Sequence, residues 1–424
     1  MNVIDTFGRI VQSAAANKPD RARKILLTGW KLQNVANRVA WDKTLSKSAQ
    51  YLAVNMMDVM KAPLRNPDQS AIVSIFTPCE LLHLYGLHPY NPEGFSCYLS
   101  ASHTENSFLA KASEDNIPET LCSYHRVFIG AAERGVMPRP KCIVSTNLVC
   151  DANNLTFRKL AKLYDIPHFI IDVPFEAGEG SVEYVAGQLR ELNSFLSQVT
   201  GKKPREDDLL EITARSKRTI ENYARYQQIR GDRQLIQDLV TPLYEFVAIN
   251  ILLGTPESEQ YSRMVLKEAW SAGPASGTRI FWIHTMPFWM PEMKELLRAK
   301  PDVQIVGTDM ATSSLVDFDP ARPYEAMARR MVYNAINGPV SRRIESAYEY
   351  AKDANADGAV WFCHWGCKHT LGGANLAKKY FEERKMPLLI LDGDGCDKSN
   401  TSNGGTATRM EAFIEMLKAR RPEM

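Results

Sequence analysis

The sequence predicts an α/β protein with two Rossmann-like parallel-sheet units and helical segments before and between them. Three observations predict it. Short apolar runs alternate with amphipathic stretches of helical spacing, and the alternation occurs twice. A charged segment of helical periodicity separates the two occurrences. The 424 residues exceed what one hydrophobic core usually organises.

Residues 1–66 read as a helical N-terminal segment. "ARKILLTGWKLQNVANRVAWDKTLSKSAQYLAVNMMDVMKAP" carries apolar residues three and four apart, and Pro63 is expected to end it. Residues 67–203 read as the first α/β unit. Its expected strands are "SAIVSIF" (70–76), "KCIVSTN" (141–147) and "HFIIDVPF" (168–175). Helices are expected in "CELLHLYG", in 153–166, and in 182–201 with Gly201 as its stop. Residues 204–272 form the helical connector, and "SAGPASG" marks its end. Residues 273–424 repeat the alternation, with strands at 279–285, 303–309, 358–364 and 387–394. Between them run helices in "MPEMKELLRAK", "PYEAMARRMVYNAIN", "RRIESAYEYAKDAN" and "GGANLAKKYFEER". The last helix is expected to start at Thr408, because Glu411 three residues on completes a capping box.

Composition excludes several classes. The net charge is +2 with 24% charged residues, so no extended nucleic-acid surface is implied. The first residues lack the basic and apolar regions of a secretory signal, and no apolar run reaches membrane-spanning length. A cytoplasmic protein is expected. Eight cysteines in a reducing compartment are then not a disulfide framework.

Those cysteines lie at 79, 97, 122, 142, 150, 363, 367 and 396, with none between Cys150 and Cys363. Cys79, Cys150, Cys363, Cys367 and Cys396 fall at or just after the ends of expected strands, where open parallel sheets build sites. Cys122 lies at an expected helix start, whose amides favour a thiolate. Cys142 begins a strand, the wrong end for a site. Singly, each thiol is better explained as a buried structural cysteine; what counts against that is five of eight falling on one edge of the sheets. "FCHWGCK" (362–368) offers one short-spaced pair with His364 and His369 nearby, but the others are too widely spaced for a zinc ribbon or finger. The pair has three residues between its thiols where a thioredoxin-like redox motif has two. Iron–sulfur ligation instead accepts thiolates from distant loops, and about four serve one cubane. Trp361, Phe362 and Trp365 are expected to be core and shielding. His125 is expected either to face sulfur or substrate, or to be solvated at a helix start.

Other motifs fail. "DGDGCDKSNTSN" (392–403) opens like a calcium loop but has Asp397 where glycine is required and Asn403 where glutamate is required. Its acidic residues are expected to order a turn near Cys396. "GEGSVE" lacks the third glycine of a dinucleotide fingerprint, "TGKK" is no P-loop, and no G-x-S-x-G occurs.

The blocks "TPCELLHLYGLHPYNPE" (77–93), "LCSYHRVFIGAA", "VSTNLVCDANNLTFRKLAKLYDIPHFIIDVPF", "VWFCHWGCK" and "LDGDGCDKSN…TRMEAFIEML" together resemble the 2-hydroxyacyl-CoA dehydratase / benzoyl-CoA reductase family. The resemblance implies two Rossmann-like domains per subunit, dimers, and a [4Fe-4S] cubane held by three cysteines, whose counterparts are Cys122, Cys150 and Cys367. It also implies a separate homodimeric activator that hydrolyses ATP, carries its own [4Fe-4S] cluster and delivers single electrons. Cys363 and Cys396, with Cys79 or in reserve Cys97, exceed one cubane. That surplus is similar to a homodimeric branch holding a double-cubane [8Fe-9S] cluster, with Cys79, Cys363 and Cys396 as its second ligand set. The expected function is therefore a low-potential iron–sulfur reductase of small molecules. The alternative is a subunit of a 2-hydroxyacyl-CoA dehydratase or benzoyl-CoA reductase with one cubane, in a heterodimer if a dehydratase.

Overall fold

The computed structural model describes residues 3–41, 43, 45–298 and 301–420. It contains two four-stranded sheets, all parallel. β1 (Ser70–Val73), β2 (His88–Tyr90), β3 (Cys142–Thr146) and β4 (His168–Ile171) pair in the order β2-β1-β3-β4. β5 (Thr278–Ile283), β6 (Val303–Thr308), β7 (Gly358–His364) and β8 (Leu388–Gly393) pair in the order β6-β5-β7-β8. The two sheets thus repeat one topology. In each, the first strand of the unit and its third are neighbours whose connections lead to opposite sides, the switch point at which such sheets bind ligands. β1, β3 and β7 are buried along their whole length, as strands covered on both faces must be.

The α/β class stands as expected, with local corrections. Strand β2 was not expected, because its Pro89 argues against a strand. It lies at the sheet edge, where a missing N–H leaves no ladder bond unmade. Pro63 does not end its helix, which runs Lys47–Arg65: the Asn66 amide still donates to the Ala62 carbonyl past the proline. The C-terminal helix runs Asn403–Arg420, so Thr408 and Glu411 lie inside it and form no cap. Thr406 already makes the helical bond to the Ser402 carbonyl, and two glycines cost too little to delay the start. Among the described residues no helix is long and apolar enough to cross a membrane.

The connector packs helices Glu206–Arg230, Thr241–Ile249 and Pro256–Ser271 around one buried carboxylate. Glu245 accepts hydrogen bonds from Tyr223 (2.8 Å), Tyr226 and Tyr261 (3.2 Å each), Gln237 (3.2 Å) and Arg230 (3.1 Å). Arg230 also donates to the Ile305 carbonyl of β6 (3.2 Å), which ties the connector to the second sheet. Removing one partner of a buried ion pair strands the other in low dielectric. Glu245→Ala is therefore expected to lower the unfolding free energy by about 3–5 kcal/mol, read from urea melts monitored by circular dichroism.

Between the two units, helix Ser123–Glu133 carries its N-terminus to the carboxyl edge of the second sheet. Ser123 Oγ donates to Asp394 (2.6 Å), and Tyr124 Oη bonds Thr285 Oγ1 (2.8 Å). Ser100 Oγ donates to the Cys396 carbonyl (2.8 Å). These contacts bring the thiols of both halves to one place.

Candidate metal centre at the meeting of the two sheets

Cys122, Cys150 and Cys367 occupy equivalent positions. Each is the N-cap residue of a helix: Ser123–Glu133, Asp151–Tyr164 and Lys368–Glu383 respectively. Each is partly buried, and the three thiols act on one another electrostatically. Burial, and after it Cys150, Cys367 and Asp394, push the Cys122 thiol up. Cys150 is pushed up to about 12, by burial first and then by Glu93 and Cys367. The Tyr124 amide at this helix start does favour the Cys122 thiolate, as expected, but burial and the neighbouring thiols outweigh it. A helix terminus contributes at most about 2 kcal/mol, and burying unpaired like charges costs more.

The backbone is shaped to bring these residues together. Gly366, just before Cys367, has φ +77°, and a Cβ there would lie 2.5 Å from the Cys122 amide nitrogen and 2.7 Å from its Cα. Only glycine lets the two loops touch. Val149, just before Cys150, has φ +74°, an outlier for a β-branched residue and a cost held in place by its surroundings. Gly395, before Cys396, leaves room for the Tyr124 hydroxyl, which a Cβ would meet at 2.0 Å.

Two buried histidines face the thiols in opposite senses. His364 Nδ1 accepts from the Gly395 amide (3.1 Å), so its proton sits on Nε2, which donates to Cys122 Sγ at 3.2 Å. The Thr156 hydroxyl gives its proton to the Ala152 carbonyl and so accepts from His125 Nδ1–H (2.9 Å). The lone pair on His125 Nε2 then faces Cys150 Sγ at 3.7 Å and Glu93 at 3.9 Å. Burial holds His125 neutral, down to about 3, and pushes Glu93 up to about 7. His125 is thus buried beside sulfur and not solvated at the helix start.

The remaining cysteines divide. Cys396 is fully buried, and its thiol is raised by burial, then by Cys97 and Asp394, and less by Glu105 and Cys122. Cys97, on helix Pro92–Ala101, is raised to about 12 by burial and lies beside Tyr124. Cys363 is raised to about 12 by burial, then Asp392 and Cys367, and it packs with Trp361 on the opposite face of β7 from Phe362. Cys79 is turned away from the other cysteines named so far. Its Sγ donates to the Thr77 carbonyl (3.3 Å), and its charged neighbours are Glu80 and Arg330. A small cavity beside it is lined by Thr77, Pro78, Asn250, Arg330 and Asn334, apart from the trio. Cys142 is buried in β3, away from the carboxyl edge.

Asp394 orders the turn expected around it. Its Oδ1 accepts from the Cys396 and Asp397 amides (2.7 and 2.9 Å), and its Oδ2 from Asn400 (3.0 Å). Trp365 departs from its expected shielding role: it is 46% exposed, while Trp361 and Phe362 are buried. Among the described residues no three His, Cys, Asp or Glu side chains stand close enough to share one metal ion, as the zinc reading requires. A cubane asks for a different arrangement, because each thiolate binds a different iron. The trio fits that demand. Its thiols are protected, they converge from both halves, and they need positive charge between them to ionise.

A family model described as 2-hydroxyglutaryl-CoA dehydratase, D-component, matches residues 74–417. The chain belongs to this family. Its relatives include the (R)-phenyllactyl-CoA dehydratase alpha subunit of Clostridium sporogenes, 23% identical over 373 residues, which cover 81% of this chain and 88% of that one. The lactoyl-CoA dehydratase subunit alpha of Anaerotignum propionicum is 23% identical over 385 residues (81% and 89%). The (R)-2-hydroxyisocaproyl-CoA dehydratase alpha subunit of Clostridioides difficile is 23% identical over 379 residues (82% and 90%).

Within this D-component family member, the matched span holds every cysteine. Sequence reasoning found the thiols but not what supports them. Gly366 and Gly395, each just before a cysteine, were available signals. His364 was noticed only as a zinc candidate, and its N–H···S contact crosses 242 positions of sequence.

Proposed function

We propose that this chain is the iron–sulfur subunit of an enzyme of the 2-hydroxyacyl-CoA dehydratase type. Cys122, Cys150 and Cys367 would hold one [4Fe-4S] cubane. Such a cluster supplies single-electron chemistry at low potential, delivered by an ATP-hydrolysing activator, and the substrate class is a 2-hydroxyacyl thioester. The observation that carries the reading is that these three helix-capping thiols, drawn from both halves of the chain, lie close enough to act on one another. The relatives' activities favour it over the small-molecule reductase that the thiol surplus led the sequence analysis to expect. Because those relatives are alpha subunits, the working enzyme is read as a heterodimer with a second, different subunit. His364 would donate to the Cys122 sulfur and raise the cluster's potential, and His125 with Thr156 would fix the Cys150 side.

One observation favours a second reading, the double-cubane reductase: the buried Cys396 thiol has the partly buried Cys97 and Cys122 close enough to raise it. In that case Cys97 takes the place first given to Cys79, beside Cys363 and Cys396. Iron and sulfide counts on anaerobically purified chain separate the readings. About four irons per chain are expected for the dehydratase and about eight for the double cubane. Cys396→Ala is expected to leave the count unchanged in the first case and to halve it in the second. Purified protein that holds no iron after reconstitution would overturn both. Dehydration of a 2-hydroxyacyl-CoA in the presence of activator and ATP completes the assignment.

A further inference from the structure

The carboxyl ends of β5, β6 and β7 carry a second polar cluster that the thiol site does not use. Arg343, 2% exposed, comes from helix Val340–Asp353. It grips Asp309 at the end of β6 through Nε (2.7 Å) and Nη2 (2.6 Å), with its guanidinium 5.6 Å from the Trp361 ring. In front of it stand two imidazoles. Arg343 Nη1 donates to His369 Nδ1 (3.0 Å), and Nη2 donates to His284 Nδ1 (3.4 Å).

A guanidinium has donors and no acceptor. Both Nδ1 atoms must therefore be unprotonated, and each ring carries its proton on Nε2. Among the described residues neither Nε2–H has a protein partner. His284 is held at φ +82°, a left-handed conformation that few residues with a Cβ adopt, by its own amide donating to Asp309 Oδ1 (2.7 Å). His284 follows β5 and His369 opens the helix after β7, so the pair stands at the switch point of the second sheet. The His284 ring lies 6.2 Å from that of His364, the donor to Cys122.

We propose that His284 and His369 form a two-donor binding site for a small anion that presents oxygen or nitrogen lone pairs. Asp309 and Arg343 hold the tautomers and touch no ligand; they are positioning residues. The arrangement is preorganised: Arg343 sets both tautomers before the ligand arrives, and its buried pairing with Asp309 keeps them from swapping. The site stands whether or not the thiols hold iron.

Nitrate serves as the probe, titrated calorimetrically into the unreduced full-length protein as purified. One site per chain is expected. Each hydrogen bond to a charged acceptor is worth about tenfold to a hundredfold in affinity. His284→Phe and His369→Phe should each weaken nitrate by that factor. His284→Gln and His369→Gln keep a donor near the Nε2 position and should stay within about threefold of wild type. Arg343→Met should weaken nitrate like the Phe variants, although it removes no group that touches the anion. Absence of nitrate binding to the wild type, or Phe variants that bind as tightly as the Gln variants, would overturn the proposal. The Phe–Gln comparison decides it even if the Arg343 variant does not fold.

Discussion

Replacing Cys122, Cys150 or Cys367 singly with serine is expected to leave the chain folded and remove most of its bound iron. Activity with activator and ATP should fall by at least about 100-fold, because even residues behind a ligand typically contribute 10–100-fold. Folding survives because the three residues are partly buried loop positions at helix caps, and serine is itself a preferred cap. The change in unfolding free energy should stay near 0.5 kcal/mol on iron-free protein. Cys142→Ser is the matched control. It lies at the start of β3, away from the site, and should keep its iron even if it loses stability. Unfolding curves and iron counts on the same four samples check both parts. Full iron in Cys150→Ser would remove that residue from the ligand set and undo the three-helix arrangement.

The fold was legible in sequence wherever local pattern and burial agree. β7 reads as an unbroken apolar run because both of its faces are covered, and its expected limits match Gly358–His364. β2 was illegible because three residues containing a proline carry no periodicity, and only the neighbouring β1 makes them a strand. The start of the last helix was misread because a capping-box pattern also occurs by chance inside helices.

At the site, strand ends could be located but side-chain direction could not. The sequence prefers Cys79, which follows a strand, and keeps Cys97 in reserve. The loop turns the Cys79 thiol onto the Thr77 carbonyl, whereas helix Pro92–Ala101 delivers Cys97 toward Cys396. The donor sense of His364 and the Arg343–Asp309 grip depend on groups 31 and 34 positions away, which no local pattern encodes.

Gly366→Ala is expected to be the most damaging change that removes no functional group. Two costs add. The residue sits at φ +77°, where a Cβ costs about 1–2 kcal/mol. The added carbon would also meet backbone, the Cys122 nitrogen and Cα, at distances no real contact tolerates. Backbone cannot swing aside as a flexible side chain can, so the loop bearing Cys367 must withdraw from Cys122. A site held by three thiols from three loops depends on those separations, and a supporting shell loosened by about 1 Å is enough to spoil it. Iron occupancy should fall by more than half, and activity should fall further, by about 10–100-fold. The chain should still unfold cooperatively. Gly372→Ala isolates the cause. It lies on the helix that Cys367 caps, and a Cβ there meets nothing within 4 Å. It should keep full iron and gain up to about 1 kcal/mol from helix propensity alone. Equal iron in the two alanine variants would mean that the close approach at Gly366 does not hold the thiols in register.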